Sequence, residues 1–417
     1  MSNSASWRRL NCLKLGAIAQ SSSAMNLRLL IPFFDTSASD WSPEARWLRW
    51  LTFLWLAIGL LVVFSASYAI ADADLSDGLY YFKLQIVWIL IGMMGFNLLV
   101  HSPLRYVLGL ADWLLLIMLV CLLVTLLPGV GTSVNGATRW LFVGPFPIQP
   151  SELAKPFLVL QGARIFGQWG RLRWATRAAW LGIFSLLLLV ILLQPNLSTT
   201  VLCGLVLWLM ALAAGMPYFY LGGTAIVGLL AGLLSISLKS YQRRRIMSFL
   251  NPWADARGDG YQLVQSLLAV GSGGFSGSGF GMSQQKLFYL PIQYTDFIFS
   301  VFAEEFGFVG GVLLLLLLVY ATLALRVALR TQNPVHRLIA IGVMVLMVGQ
   351  ALLNIGVATG VLPTTGLPFP LFSYGGSSMV ASLMAAALLI RVAREGSGAK
   401  VVPLHDRAPT SPPRQLA

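Results

Sequence analysis

Apolar runs of membrane-spanning length recur along this chain, and they constrain its fold more than any other feature. A helix of roughly 17 to 25 apolar residues crosses the ~30 Å hydrocarbon core of a bilayer. Of the 417 residues, 57% are hydrophobic and only 10% are charged, against about 25% charged in soluble proteins. The sequence therefore predicts an all-α polytopic membrane protein. Nine runs lie near residues 50–71, 84–100, 106–127, 177–193, 198–215, 217–238, 304–325, 338–360 and 376–394.

A tenth run, near residues 151–166, is less apolar because Glu152 and Lys155 lie close to its start. Including it gives an even number of spans, which places both basic ends of the chain on one side. We therefore predict about ten transmembrane helices, with a large extracytoplasmic loop before the eighth. The predicted domains are a cytoplasmic arm, the transmembrane domain and a cytoplasmic tail, with the arm and the tail disordered: residues 1–45, 46–395 and 396–417.

Basic residues between the runs predict the orientation. Cytoplasmic loops of membrane proteins carry an excess of Lys and Arg. The net charge of +13 fits such loop charges better than a nucleic-acid-binding face, and three cysteines offer neither a disulfide framework nor a thiolate metal site. The side of the N-terminal arm is predicted to be cytoplasmic because it carries Arg105, Arg164, Arg171, Arg173, Arg177, Arg326, Arg330, Arg337, Arg391 and Arg394.

The outward loop between residues 239 and 296 breaks this pattern because it is basic. One interpretation is a solvated patch that attracts anionic lipids, by about 1 kcal/mol per cation. The other is a site for an anion, since a guanidinium group donates two hydrogen bonds to phosphate oxygens. Arg244 and Arg245 are the best candidates for that site. The cations of the loop are Lys239, Arg243, Arg244, Arg245, Arg257 and Lys286.

Residues 271–281 of this loop are rich in glycine. Such a segment can fold close to a ligand, but no Gly-Lys-Ser/Thr follows it, so we exclude a nucleotide-binding P-loop. Flexible turns explain the glycines equally well. Gln265, which precedes this segment, is a candidate substrate-binding residue.

Asp296 lies where the polar loop meets the eighth apolar run. Partial burial raises the pKa of a carboxyl group towards the value that a general base needs, whereas nearby arginines lower it, so the sequence does not give the sign of the shift. The competing interpretation is structural, since Thr295 and Asp296 are both favourable N-cap residues for the following helix.

The outward segment between the third and fourth runs contains the candidates Arg139 and Trp140, although a tryptophan here can also be an interfacial anchor. Glu152 and Lys155 follow, three residues apart on one helical face, so they can pair. Ionisable groups at membrane depth are candidates for function. That rule also selects Asp112, Glu304 and Glu305.

The last outward turn, residues 362–378, contains prolines and paired glycines that exclude a regular helix. Irregular backbone at membrane depth is either buried in protein or lines a wet cavity. We therefore interpret this turn as part of a cavity wall, with Ser377 as a candidate substrate-binding residue.

Three segments carry a family resemblance: Gln149-Pro-Ser-Glu152, Thr295-Asp-Phe297 and, most strongly, residues 362–378. In this order they resemble the SEDS family of bacterial wall-synthesis proteins, which includes FtsW, RodA and SpoVE. The resemblance spans about residues 45–395. Phe249-Leu-Asn-Pro-Trp253 is more similar to the cell-division branch of that family than to its elongation branch.

This resemblance implies a peptidoglycan glycosyltransferase that joins lipid II units on the outer face of the bacterial cytoplasmic membrane. The implied partners are a class B penicillin-binding transpeptidase, division-complex proteins and membrane lipids. The essential aspartate of the family matches Asp296, its loop tryptophan matches Trp140, and its paired arginines match Arg244 and Arg245. No cofactor is implied, and we assign no metal ligand; a divalent cation on the diphosphate stays open.

Three positions depart from the family pattern. The usual Pro-Glu-x-His before Thr-Asp is Pro291-Ile-Gln-Tyr294 here, and the common Gln-Pro-Asp is Gln194-Pro-Asn196. The resemblance therefore assigns no role to Ile292, Tyr294 or Asn196.

We hypothesise that Asp296 deprotonates a sugar hydroxyl while Arg244 and Arg245 stabilise the departing undecaprenyl diphosphate. One base suffices for a single displacement, which inverts the anomeric centre. Two alternatives remain. A lipid II flippase would use the ionisable groups within the membrane as a headgroup path, and a division scaffold would recruit a transpeptidase through its cytoplasmic arms.

Overall fold

The computed structural model describes residues 38, 41–127, 131–134, 137–144 and 146–397. The predicted arm and tail lie mostly outside these residues, so their disorder stays a prediction. Within the described part, the first helix already begins at Pro43, so its first three residues lie in the predicted arm. Ser42 starts it, because its side chain accepts a hydrogen bond from Ala45 N at 3.3 Å and proline is favourable in a first helical turn.

The described chain is mainly helical, with fourteen α-helices. A π-helical turn, Val345–Gly349, joins α12 to α13. In chain order the helices are α1 Pro43–Leu75, α2 Tyr80–His101, α3 Leu104–Val124, α4 Pro150–Gly167, α5 Trp174–Leu193, α6 Leu197–Ala213, α7 Tyr218–Leu238, α8 Ser240–Leu250, α9 Tyr261–Ser272, α10 Ile298–Gly310, α11 Val312–Arg330, α12 Pro334–Met344, α13 Gln350–Ala358 and α14 Gly376–Ser397.

Eight helical segments are long and apolar enough to cross a membrane, counting α12 to α13 as one. The protein is therefore a multi-pass membrane protein, as predicted. Helices α4 and α6 coincide with the predicted runs 151–166 and 198–215. They are either too short or not apolar enough to count among the eight segments. The count of ten therefore stays a prediction.

The eighth predicted run, residues 304–325, was wrong as a single span. Helix α10 ends at Gly310 and α11 begins at Val312, so Glu304 and Glu305 belong to the shorter helix before the span. Gly307 has a φ of 60°, and a Cβ added there would overlap the backbone nitrogen of Gly277. Apolar content could not reveal this kink inside α10, because it depends on a glycine that meets another segment closely.

A three-stranded antiparallel sheet lies between α3 and α4, in the order β1-β2-β3. The strands are β1 Thr132–Val134, β2 Ala137–Val143 and β3 Phe146–Ile148. The all-α prediction describes the bundle but missed this sheet, whose strands are too short to give a clear alternation of polar and apolar residues. Because neighbouring residues of a strand point to opposite faces, Arg139 and Trp140 diverge.

Helix α14 forms the centre of the bundle. Of the residues in its span 78% are buried, against 11% for α7 at the periphery. Ala385, Ala386 and Ala387 are fully buried, and such small side chains allow neighbouring helices to approach closely within a membrane.

The bundle has two distinct ends. At the terminus end, where α1 begins and α14 finishes, Glu44 pairs with Arg330. There Glu395 also accepts hydrogen bonds from Arg391 at 2.7 Å and from the Leu104 backbone nitrogen at 2.8 Å. The opposite end, which we call the loop end, carries the sheet and the segments 239–297 and 359–375.

Candidate functional site

Asp296 lies at the loop end, half-buried, two residues before α10 begins. The N-cap position of α10 is Phe297, and no side-chain hydrogen bond caps this helix. The capping interpretation of Asp296 was therefore wrong, which leaves its carboxylate available for chemistry.

Three consecutive backbone carbonyls fix the position of this carboxylate. Tyr374 N donates to Tyr294 O at 2.9 Å, and Ser373 Oγ donates to Thr295 O at 2.5 Å. The Asn354 side chain donates to Asp296 O at 2.8 Å. The segment that carries Asp296 is thus bound to residues 354 to 374, which are distant in sequence.

Gly366 allows residues 359–375 to approach the carboxylate. Its φ is +72°, and a Cβ added there would lie 3.3 Å from Asp296 Oδ2. A side chain at this position would therefore both strain the backbone and crowd the carboxylate. This irregular segment therefore lies beside the carboxylate, and its role as the wall of a cavity stays a prediction.

Arg245 on α8 and Arg139 on β2 are the two arginines that act on Asp296. Arg245 Nη1 donates to Thr364 O at 3.1 Å, and its guanidinium lies 4.6 Å from the Tyr241 ring centroid. Arg139 donates from Nε to Gln194 O at 3.0 Å and from Nη2 to Pro195 O. These partners are neutral, so neither hydrogen-bond set cancels the positive charge.

Burial raises the pKa of Asp296 to about 6, against the opposing effect of Arg245 and Arg139. Burial likewise lowers the pKa of Arg139, although Asp296 helps to retain its charge. The direction of the Asp296 pKa shift, which the sequence left open, is therefore upward. Near neutral pH the carboxylate is mostly ionised yet basic enough to accept a proton, as a general base requires.

The predicted arginine pair separates in the structure. Arg244 is exposed and lies 3.6 Å from Asp259, with its Nε facing Asp259 Oδ2, whereas the adjacent Arg245 points into the site. Consecutive residues of a helix differ in direction by about 100°, so they cannot share one face.

Lys239 is a further cation of the site, which the sequence did not single out from the other loop cations. Its Nζ donates to Leu192 O at 3.0 Å, and burial together with Arg139 lowers its pKa. It thus lies in the same electrostatic neighbourhood as Arg139. Its presence among the loop cations was the available signal, but spacing did not distinguish it from the others.

Glu152 and Lys155 form the predicted pair, at 2.6 Å, with side chains 4% and 2% exposed. Lys155 Nζ also donates to Gln350 Oε1 at 3.0 Å, and Gln350 in turn donates to Pro368 O at 2.6 Å. These buried contacts connect α4 to Pro368 in the irregular segment 359–375. Direct binding of substrate by the pair stays a prediction.

The remaining candidates occupy three different elements. Ser377 is buried, and its Oγ accepts a hydrogen bond from Gln149 N at 2.8 Å, which ties the start of α14 to the start of α4. Gln265 is half-buried on α9, and Trp140 is half-buried on β2. Contact of these three with a substrate stays a prediction.

The other membrane-depth groups are bound to neighbours within the protein. Glu304 accepts from Ser283 Oγ at 2.5 Å, Glu305 accepts from Lys286 Nζ at 2.8 Å, and Asp112 pairs with Arg164 at 2.7 Å. The first two contacts attach the loop to α10.

The chain is similar to known proteins over most of its length. The family model described as "Cell cycle protein", for FtsW, RodA and SpoVE, matches residues 46–398. A Synechocystis sp. protein named as a probable peptidoglycan glycosyltransferase FtsW is 56% identical, over 91% of this chain and 96% of that protein. Stage V sporulation protein E of Bacillus subtilis is 38% identical, over 82% of this chain and 95% of that protein.

Two solved structures have a similar fold. RodA, the rod shape determining protein of Thermus thermophilus, has a TM-score of 0.61 at 30% identity, covering 84% of this chain and 96% of that one. A chain of a peptidoglycan synthase complex has a TM-score of 0.66 at 30% identity, covering 84% and 98%. From its sequence and its fold, this chain belongs to the FtsW, RodA and SpoVE family of cell cycle proteins, and is most similar to FtsW.

Proposed function

We propose that this protein is a peptidoglycan glycosyltransferase that joins lipid II units into glycan strands during septal wall synthesis. The observation that carries the proposal is the half-buried Asp296 carboxylate, with a pKa of about 6, set between Arg245 and Arg139. A base and two cations side by side suit a reaction that removes a proton and expels an anion.

The charge balance of the site favours a diphosphate. Arg139 and Arg245 both act on the single carboxylate of Asp296, so the cations outnumber the base there, and Lys239 adds a further positive charge next to Arg139. The guanidinium groups are bonded to carbonyl oxygens, which a phosphate can replace with stronger, charge-assisted hydrogen bonds.

In the proposed reaction, Asp296 takes the proton from the attacking hydroxyl of one sugar. The hydroxyl oxygen forms a bond to the anomeric carbon of a second lipid-linked sugar, and the bond from that carbon to the diphosphate breaks. Arg245 and Arg139 stabilise the negative charge on the departing undecaprenyl diphosphate. A single displacement of this kind inverts the anomeric centre.

The hydrophobic spans and the loop end together suit a substrate with a membrane-held tail and a polar head. We place the loop end outside the cytoplasm, because the basic connections at the terminus end then follow the positive-inside rule. The partner in this proposal is a class B penicillin-binding transpeptidase. A similar chain in a peptidoglycan synthase complex supports that choice.

The test is polymerisation of purified lipid II in liposomes that contain the protein and its partner transpeptidase. We expect Asp296→Asn to lower turnover by about 100-fold or more, the range of general-base catalysis. Asp259→Asn is the matched control, because Asp259 is an exposed carboxylate of the same loop region. Normal glycan strands from Asp296→Asn, in a preparation free of other polymerases, would contradict the proposal.

A further inference from the structure

Three tyrosine rings from separate elements pack together next to the segment that carries Asp296, and we call them the tyrosine cluster: Tyr81, Tyr294 and Tyr374. Tyr81 and Tyr294 are stacked, with centroids 4.8 Å apart and planes at 25°. Tyr374 meets both edge-on, at 5.2 Å from Tyr81 and 5.6 Å from Tyr294. These are favourable aromatic geometries, each worth roughly 0.5 to 1.5 kcal/mol beyond burial of apolar area.

The cluster joins α2 to both segments that form the site. Tyr81 lies in the first turn of α2, Tyr294 lies two residues before Asp296, and Tyr374 belongs to the irregular segment 359–375. The backbone bond from Tyr374 N to Tyr294 O, at 2.9 Å, links the same two segments. Side chains and backbone thus fix the Asp296 segment from two directions.

The segment needs this support because its backbone is strained. Ile292, four residues before Asp296, has a φ of 56°, which is costly for a β-branched side chain. Ile292 as a whole residue is 36% exposed, so packing of its own side chain holds it only in part. The buried Gln293 side chain holds the turn through hydrogen bonds to Ala66 O and Lys286 O at 3.3 and 3.1 Å, and the stacked ring of Tyr294 holds the next residue.

The hydroxyl group of Tyr294 does not compete with the base. Burial raises the pKa of Tyr294, and a hydrogen bond to Tyr81 raises it further, so the phenol stays neutral at any pH at which the enzyme works. Tyr294 therefore contributes through the packing of its ring and the hydrogen bond of its hydroxyl with Tyr81, not as a second base.

We propose that Tyr294 is a positioning residue, which holds the Asp296 carboxylate in its reactive place through the stack with Tyr81 and the edge contact with Tyr374. This inference rests on the proposed function, since it assigns a role in the same reaction. Arg139 and Arg245 are held by β2 and α8, so loss of the Tyr294 ring displaces the base but leaves the cations in place. The expected defect is in turnover rather than in substrate affinity.

The test compares Tyr294→Ala, Tyr294→Phe and Tyr289→Ala in the lipid II assay. Tyr289 is an exposed tyrosine of the same loop and serves as the matched control. Tyr294→Ala should lower kcat by ~10- to 100-fold, because a displacement of about 1 Å has an effect of this size. Tyr294→Phe should restore turnover, since the ring is retained, and Tyr289→Ala should match the unsubstituted protein.

A pH profile distinguishes positioning from a general loss of structure. If the carboxylate moves towards solvent, burial no longer raises its pKa. The midpoint of the acid limb of kcat/KM should then move to a pH below 6 in Tyr294→Ala. An unchanged kcat, an unchanged limb, or a Tyr294→Phe variant as impaired as Tyr294→Ala would each overturn the proposal. Should Tyr294→Ala not fold, Tyr81→Ala removes the same stack from α2 and must give the same defect.

The two proposals fail separately. If Asp296→Asn retains turnover, both the assignment of Asp296 as the base and the positioning role of Tyr294 are refuted. An inactive Asp296→Asn beside a fully active Tyr294→Ala would refute only the positioning role.

Discussion

The acid limb of the pH profile provides the sharpest test of Asp296 as the base. A carboxyl group with a pKa of about 6 is about 91% ionised at pH 7 and about 9% at pH 5. With its ordinary value of 3.8 it would still be about 94% ionised at pH 5. We therefore expect kcat/KM for lipid II to fall about tenfold between pH 7 and pH 5, with a slope of one proton.

The assay is initial-rate polymerisation in liposomes across pH 4.5 to 8, with the partner transpeptidase present at constant ratio. Any other group that titrates near pH 6 would give a similar limb, so the assignment needs a variant that moves the limb without changing the substrate. Arg245 lowers the pKa of Asp296, so Arg245→Gln should shift the limb to higher pH, while Arg244→Gln should leave it in place. A flat profile from pH 7 to pH 5, or a limb that stays fixed in Arg245→Gln, would refute the reasoning.

Two further predictions follow from the separation of the arginines and from the buried ion pair. Arg245→Gln should lower kcat by about 100-fold through weaker stabilisation of the leaving group. Arg244→Gln should change kcat by no more than about twofold, because an exposed ion pair contributes little. Equal losses of kcat in the two variants would show that both arginines serve the leaving group and would contradict their separation. Glu152→Gln should destabilise the protein by about 3 to 5 kcal/mol, because it leaves Lys155 buried without its counter-charge. Thermal unfolding in detergent measures this loss of stability. The control is Lys83→Gln, which breaks the exposed pair with Asp77. An unchanged unfolding temperature for Glu152→Gln would contradict the prediction.

Local features of the site were predictable from the sequence. The spacing of Glu152 and Lys155 predicted their pair because helical neighbours three residues apart share a face. Asp296 could be selected because it lies at a boundary between polar and apolar sequence. Its competing role as a helix cap was settled only by the structure, in which the N-cap position falls one residue later.

Contacts across the fold were not predictable in the same way. Arg139 is bonded to carbonyls 55 and 56 residues away, and Asn354 is bonded to Asp296 O across 58 residues. The tyrosine cluster joins three elements that no spacing rule connects. Each contact depends on how the helices pack, which the order of residues does not express locally.

The sequence by itself determined that this chain lies in a membrane, where most of its helices run, and which residues are candidates for chemistry. It could do so because apolar content and helical spacing are properties of neighbouring residues. Only the tertiary structure decided that Arg245 rather than Arg244 accompanies Asp296, and that burial outweighs both arginines in setting the pKa of its carboxyl. Those outcomes depend on distances and solvent exclusion summed over α8, α10, β2 and the segment 359–375, which meet only after folding.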